Sequence, residues 1–265
     1  MFDREVESSE IQLVKIIGIG RFSVVWEGLM FGTLPVAVKV LKPEKKSAVN
    51  EFLKKAAILK ILCHPKIVHL CAVCTKEPIY IVLEFMKHGS LLEYLRGKGR
   101  TLRLPQLINI AAQIAQGMAF LEERSYVHRD LAARNVLVGE NLICKVADFH
   151  LAQAVRGGTC EAPADAKVAI KWTAPEAARN NRFSIKSDVW AFGILLYEIV
   201  TFGRHPYPDM TNTQVLGQLQ QGYRMPRPMG CPDKLYDIML NCWREDPDCR
   251  PTFETLQWQL EQFFN

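Results

Sequence analysis

His128-Arg129-Asp130-Leu131-Ala132-Ala133-Arg134-Asn135 sets an acid five positions ahead of an amide, and Asp148-Phe149-His150 supplies a second acid thirteen residues further on. Asp130 is suited to accept a proton from an attacking hydroxyl. Asn135 and Asp148 offer hard oxygen ligands for Mg2+, an ion that needs only a few protein oxygens when phosphates supply the rest. The spacing therefore predicts a phosphoryl-transfer site.

Read with its neighbours, this run resembles the catalytic loop and metal-binding motif of protein kinases. Ala132-Ala133-Arg134 resembles the tyrosine-kinase form of the loop rather than the serine/threonine form. Upstream, the apolar run 11–17 predicts a strand and leads into Gly18-Ile19-Gly20-Arg21-Phe22-Ser23-Val24-Val25, followed by Val36-Ala37-Val38-Lys39 at the distance kinases use. Glycines in a hairpin let the backbone approach phosphates without a Cβ in the way. A dinucleotide-binding turn is disfavoured, because the glycines sit between strands and not at a strand-to-helix turn. Downstream, Lys171-Trp172-Thr173-Ala174-Pro175-Glu176, Asp188-Val189-Trp190 and Arg250-Pro251 continue the match, which spans about residues 11–264. The chain is most similar to Src-type cytoplasmic tyrosine kinases, with residues 183–200 and 250–264 especially similar to Fyn-related kinases.

That resemblance implies an α+β, protein-kinase-like bilobal fold. A small β-rich N-lobe with one helix takes about residues 1–84, a hinge about 84–89, and a larger helical C-lobe about 90–265. It implies ATP and Mg2+ as cofactors and protein tyrosines as substrates. Gly18 and Gly20 would cover the phosphates and Lys39 would hold them. Val25 and Ala37 would lie on one side of adenine and Leu137 on the other, with backbone groups of Glu84 and Met86 at its edge and Leu83 behind it. Asp130 would take the tyrosine proton, Arg134 would contact the substrate beside the hydroxyl, and Asn135 and Asp148 would hold Mg2+. Asp188 would brace the catalytic-loop backbone and Arg250 would pair with Glu176. The apolar stack that aligns an active kinase has its members in Leu59, Leu70, His128 and Phe149.

Several departures predict weakened activity and keep a second reading open, a pseudokinase that binds or scaffolds while transferring little. Ser23 replaces the third glycine of the loop. Lys55 stands where the helix 51–62 of the family carries the acid that pairs with the strand lysine. Two ammonium groups at ~4 Å repel by roughly 4 kcal/mol at an effective dielectric near 20. Lys55 is therefore expected to turn outward or to approach an acid such as Asp148, with Glu51 one turn earlier. His150 replaces a glycine and adds a ring where the family's backbone needs freedom. Gln153 replaces an arginine. Cys160 replaces the tyrosine that Src-type kinases phosphorylate, and no tyrosine lies between Asp148 and Glu176. Ordering of this segment by tyrosine phosphorylation is thus closed, with Thr159 as a hydroxyl in the same stretch.

The remaining features are those of a globular domain. The chain has 265 residues, 49% hydrophobic and 23% charged, with a net charge of +5 and no run of like charges that would mark a nucleic-acid or membrane surface. The eight cysteines are scattered. Cys71 and Cys74 are close enough for metal ligands but lack a second pair, so they read as strand thiols. A reducing, cytoplasmic setting and a monomer are expected. The longest apolar stretch, 189–200, is too short to span a bilayer and carries Tyr197 and Glu198, so it reads as a buried helix. Strands are expected over 67–73 and 79–85, a short capped helix over 90–95, and a long helix over 105–124. The apolar stripe of that long helix is Leu107, Ile110, Ala111, Ile114, Met118 and Leu121.

Overall fold

The computed structural model describes residues 5–20, 22–155, 157–161 and 168–264. The chain divides into two compact units, Met1–Lys87 and His88–Asn265.

The first unit is an antiparallel sheet with a helix. Its strands are β1 (Ile11–Ile19), β2 (Ser23–Met30), β3 (Leu34–Leu41), β4 (Leu70–Cys74) and β5 (Tyr80–Glu84), in the spatial order β1-β2-β3-β5-β4. Strand alternation sends Val36 and Val38 into a core with Ile11, Met30, Ala72, Cys74, Tyr80 and Val82. Ala37 and Lys39 take the opposite face of β3. Gly28 is required by packing, since a Cβ there would lie 2.7 Å from the Gln12 carbonyl oxygen. α1 (Val49–Ile61) buries Phe52, Ala56 and Leu59 on one side. Strand β1 runs two residues further than its apolar pattern suggests, through Gly18. Irregularities of register between Leu13 and Lys15 and between Ile16 and Gly18 keep it paired with β2. β4 starts at Leu70 and not at 67, because the Ile67 N–H closes a turn on His64.

The second unit is mainly helical. It contains α2 (Leu91–Arg96), α3 (Leu104–Glu123), β6 (Tyr126–Val127), β7 (Val136–Val138), β8 (Cys144–Val146), β9 (Gln153–Ala154) and β10 (Cys160–Glu161). It continues with α4 (Pro175–Asn180), β11 (Arg182–Phe183), α5 (Ile185–Val200), α6 (Asn212–Gln220), α7 (Asp233–Cys242) and α8 (Phe253–Glu261). The Ser90 hydroxyl accepts the Glu93 N–H to start α2. The predicted stripe of α3 is buried throughout, and the helix packs on α8. Glu122 near the end of α3 also accepts the Phe253 N–H at 2.7 Å, satisfying a donor at the start of α8. α5 is apolar on every side and almost wholly buried, as a helix at the centre of a core must be. It opens with reciprocal bonds between Ser184 and Ser187.

Arg250 ties the second unit together. Its side chain is fully buried and clasps the Glu176 carboxylate with two bonds, at 2.6 and 2.9 Å. It also donates to the Lys186 and Arg244 carbonyls, and its guanidinium lies 5.0 Å from the Trp190 ring centroid. Removing one partner of a buried ion pair strands the other's charge, at a cost of ~3–5 kcal/mol. Glu176 keeps partial contact with solvent. Glu176→Gln is therefore expected to lower unfolding free energy by about 3 kcal/mol in urea titration, with a loss under about 1 kcal/mol refuting the assignment.

Candidate active site

In the first unit, sheet register collects the predicted nucleotide-contacting residues. Gly18 is paired with Val25, Val25 with Lys39, and Lys39 with Ile81, so three candidates form one row across the strands. Ala37 lies two residues along, paired with Leu83 on β5. Among the described residues, a Cβ at Gly18 would meet Val25, at 3.6 Å, an ordinary contact. The chain's own packing thus leaves room above that position. Gly20 is tighter. Its N–H donates to the Ser23 carbonyl at 2.8 Å, closing the hairpin, and a Cβ would sit 3.3 Å from that oxygen. At the end of β5, the Glu84 N–H is committed to the His69 carbonyl, and its carboxylate accepts the His69 N–H at 2.7 Å. Met86 is buried. Arg21, in the glycine turn, lies outside the described residues.

Lys55 takes one of the two expected courses and approaches an acid, Glu51. It does not turn outward: its side chain is 21% exposed and pairs with Glu51 at 3.4 Å, one helical turn back. Its ammonium also lies 5.2 Å from the Phe22 ring centroid. Pairwise repulsion predicted either an outward turn or an acid partner. A carboxylate at i−4 and an aromatic face compensate the charge where it stands.

In the second unit the catalytic-loop residues converge. The His128 and Arg129 N–H groups donate to the two oxygens of Asp188, at 2.6 and 2.9 Å. Arg129 adopts a left-handed backbone, φ 69°, which costs a non-glycine residue about 1–2 kcal/mol. The Asp130 N–H donates to His128 Nδ1 at 3.2 Å, so the ring proton is on Nε2, which donates to the Ala147 carbonyl at 2.9 Å. His128 meets Phe149 edge to face at 5.1 Å. The Asp130 carboxylate is held at both oxygens. Arg134 ion-pairs with Oδ1, and the Asn135 side-chain amide donates to Oδ2 at 2.7 Å and to the Asp130 carbonyl at 2.7 Å. Arg134 stacks on Trp172, 4.7 Å from the ring centroid. Such a carboxylate is fixed in orientation and ready to take a hydroxyl proton.

Asn135 donates with its amide nitrogen, and its side-chain oxygen accepts no hydrogen bond among the described residues. Asp148 adds a carboxylate on a left-handed residue, φ 59°, a conformation aspartate tolerates. One amide and one carboxylate oxygen are the hard donors that suit Mg2+ when phosphates complete its octahedron. His150 Nδ1 lies 3.3 Å from Asp148 Oδ1. Its own φ is not positive, so the expected conflict between a side chain and a glycine-like backbone does not arise. What His150 adds is a competitor for the Asp148 carboxylate. Leu137 lies in β7, anchored by a Val138 N–H bond to the Gly89 carbonyl at 2.9 Å.

Three features of the site were missed in sequence. Arg129 donates to the main-chain carbonyls of Leu151 and Glu161. Burial pulls its pKa down, against the influence of Cys160 and Asp188. Cys160 is buried, paired with Phe183 across β10 and β11, and burial raises its thiol pKa. Glu198 on α5 accepts the Ala133 N–H at 2.9 Å and the Trp172 indole N–H at 3.0 Å. Its one signal was to be a lone acid in an apolar run. Thr159 is joined to Arg182 at 3.2 Å. Residues 162–167 lie outside the described residues.

A sheet-bearing unit, a helical unit and an Asp-Arg-Asn cluster on a loop braced by a central helix define a protein kinase. Residues 11–260 match the family model described as "Protein tyrosine and serine/threonine kinase", and the chain belongs to that family. It is 56% identical over 265 residues to tyrosine-protein kinase FRK of Homo sapiens, covering 98% of this chain and 52% of that protein. It is 56% and 55% identical to tyrosine-protein kinases SRK2 and SRK3 of Spongilla lacustris, spanning 98% of this chain in each case and 72% and 78% of those proteins. The chain therefore spans about half the length of the human relative. No helix among the described residues is long and apolar enough to cross a membrane.

Burial pushes the Asp188 carboxyl from 3.8 up to about 6, against the pull of His128 and Arg129. Between those values the folded chain holds a proton that the unfolded chain has lost. This group's contribution is therefore complete below about pH 4 and is lost as pH rises towards 6, by roughly 3 kcal/mol. Asp188→Asn is expected to abolish this component. The stability difference between wild type and variant, followed by denaturant titration, should move by that amount in the variant's favour from pH 4 to pH 6.5. A pH-independent difference would contradict it.

Proposed function

We propose that this chain is an ATP-dependent protein-tyrosine kinase domain, transferring the γ-phosphoryl group of ATP to tyrosine hydroxyls with weakened turnover. The observation that carries the reading is the Asp130 carboxylate, gripped by Arg134 and Asn135 at its two oxygens. Bound ATP would supply the phosphoryl group and leave as ADP when the bond from the γ-phosphorus to the β–γ bridging oxygen breaks, and Mg2+ would neutralise the phosphate charge. Asp130 orients the tyrosine hydroxyl and takes its proton as the oxygen becomes a phosphate ester. Asn135 and Asp148 would hold the metal. Lys39 would hold the phosphates under Gly18 and Gly20, and Val25, Ala37, Leu137 and the backbone at Glu84 and Met86 would receive adenine. The match of Ala132-Ala133-Arg134 and of the relatives' names to tyrosine kinases supports tyrosine as acceptor.

The pseudokinase reading draws on two pairs. Lys55 is engaged with Glu51, so the helix offers Lys39 no acid at that position. His150 occupies Asp148, a group the metal needs. A positioning error of about 1 Å can cost on the order of a hundredfold in rate, which weakens catalysis without abolishing it.

Mg-ATP phosphorylation of an acidic tyrosine peptide should exceed that of Asp130→Asn, the blank. Transfer equal to the blank from folded protein would refute catalysis in favour of the binding module. Lys55→Glu is expected to raise kcat several-fold, on the order of tenfold, by returning the acid that the family carries at this helix position. No gain would shift the limitation to His150 or to the segment without a phosphorylatable tyrosine.

A further inference from the structure

Glu198 is 1% exposed in the midst of the apolar helix α5. A carboxylate in such a place is costly unless donors satisfy it, and an apolar side chain would fill the space more cheaply. Its two donors come from two different parts of the site. One is the Ala133 N–H, inside the catalytic loop. The other is the indole N–H of Trp172, in the segment that leads into α4, and both bonds end on the same oxygen, Oε2.

The indole is held by one edge while its face is occupied. The Arg134 guanidinium lies 4.7 Å from the Trp172 ring centroid, and Arg134 in turn grips Asp130 Oδ1. An arginine has a long and rotatable stem, and an ion pair alone leaves it several ways to meet a carboxylate. A fixed aromatic plane beneath the guanidinium removes most of them. The chain of contacts therefore runs from a rigid buried helix, through an indole, to the guanidinium that orients the reacting carboxylate. Asn135 is the second holder of Asp130 and immediately follows Arg134, so the Ala133 N–H bond anchors the same short turn from below.

We propose that Glu198 is a positioning residue for phosphoryl transfer, setting the Asp130 carboxylate through Trp172 and Arg134. The inference rests on the reading of Asp130 as proton acceptor. It goes further by making the orientation of that acceptor depend on a helix residue that does not touch it.

Glu198→Met keeps length and loses the acceptor. In the Mg-ATP and tyrosine-peptide assay it should lower kcat by about tenfold to a hundredfold while leaving KM for ATP within about twofold. Glu198→Gln, whose carbonyl still accepts both N–H groups, should recover most of kcat. A kcat for Glu198→Met within about twofold of wild type, or a loss appearing equally in KM for ATP, overturns the proposal. Should Glu198→Met fail to fold, Trp172→Phe removes the same indole bond from its other end and keeps a ring beneath Arg134. It should show the same kcat-selective loss, and an unchanged kcat overturns the proposal.

Wild-type transfer no greater than that of Asp130→Asn would remove the catalytic reading. The positional link is then read separately, from the Arg134 Nε–H resonance in 15N-labelled protein. A shift of that resonance in Glu198→Met, or in Trp172→Phe if the former does not fold, supports the link. An unmoved resonance overturns it.

Discussion

The carboxylate of Asp188 receives two successive main-chain N–H groups of the catalytic loop while buried at the first turn of α5. The His128 donor is buried and the Arg129 donor partly so, and leaving a buried donor unsatisfied costs about 1–3 kcal/mol. Their convergence on one carboxylate accompanies the left-handed turn at Arg129. That turn in turn presents the Asp130 N–H to His128, so a single imidazole registers the loop against the Ala147 carbonyl, immediately before Asp148. The burial of α5 on all sides is thus a constraint on chemistry as much as on stability. A helix that shifted would take with it the acceptor that shapes the loop.

The departures from the kinase pattern share a physical form. Each new charge or ring is satisfied close to where it arose. Lys55 has Glu51 four residues before it, the favourable order for an acid and a base along a helix. His150 has Asp148 two residues before it. Such local compensation lets the fold absorb the substitutions at little cost, because no distant partner has to move. It also draws groups away from the tasks that the proposed reaction would set them. The Asp130, Arg134 and Asn135 cluster carries no comparable alteration, which is why weakened transfer is preferred to complete loss.

Much of this was legible from residue order. The stripe of α3, the Ser90 cap and the buried nature of the helix over 189–200 follow from periodicity and from which residues accept an N–H. The loop residues could be assigned because their spacing is chemically narrow. The resemblance further implied the Asp188 brace and the Arg250–Glu176 pair, which the structure contains. The continuation of β1 through Gly18 was hidden, because irregular register breaks strict alternation. An acid partner was expected for Lys55, but its contact with the Phe22 ring was hidden, because that ring is distant in sequence. Glu198 was visible only as an exception in an apolar run, and its partners are a main-chain amide and an indole far away in sequence. Contacts made by main chain leave no letter to read.

The bonds from Arg129 to the carbonyls of Leu151 and Glu161 carry that last point further. Every amino acid brings the same carbonyl, so the identity of residues 151 and 161 is irrelevant to these attachments. Side-chain changes at either position leave the acceptor in place. The neighbouring Cys160 packs beside Phe183. A docking arrangement written in backbone asks for a carbonyl at 151 and 161 and for a particular side chain at 129, where the donors are supplied.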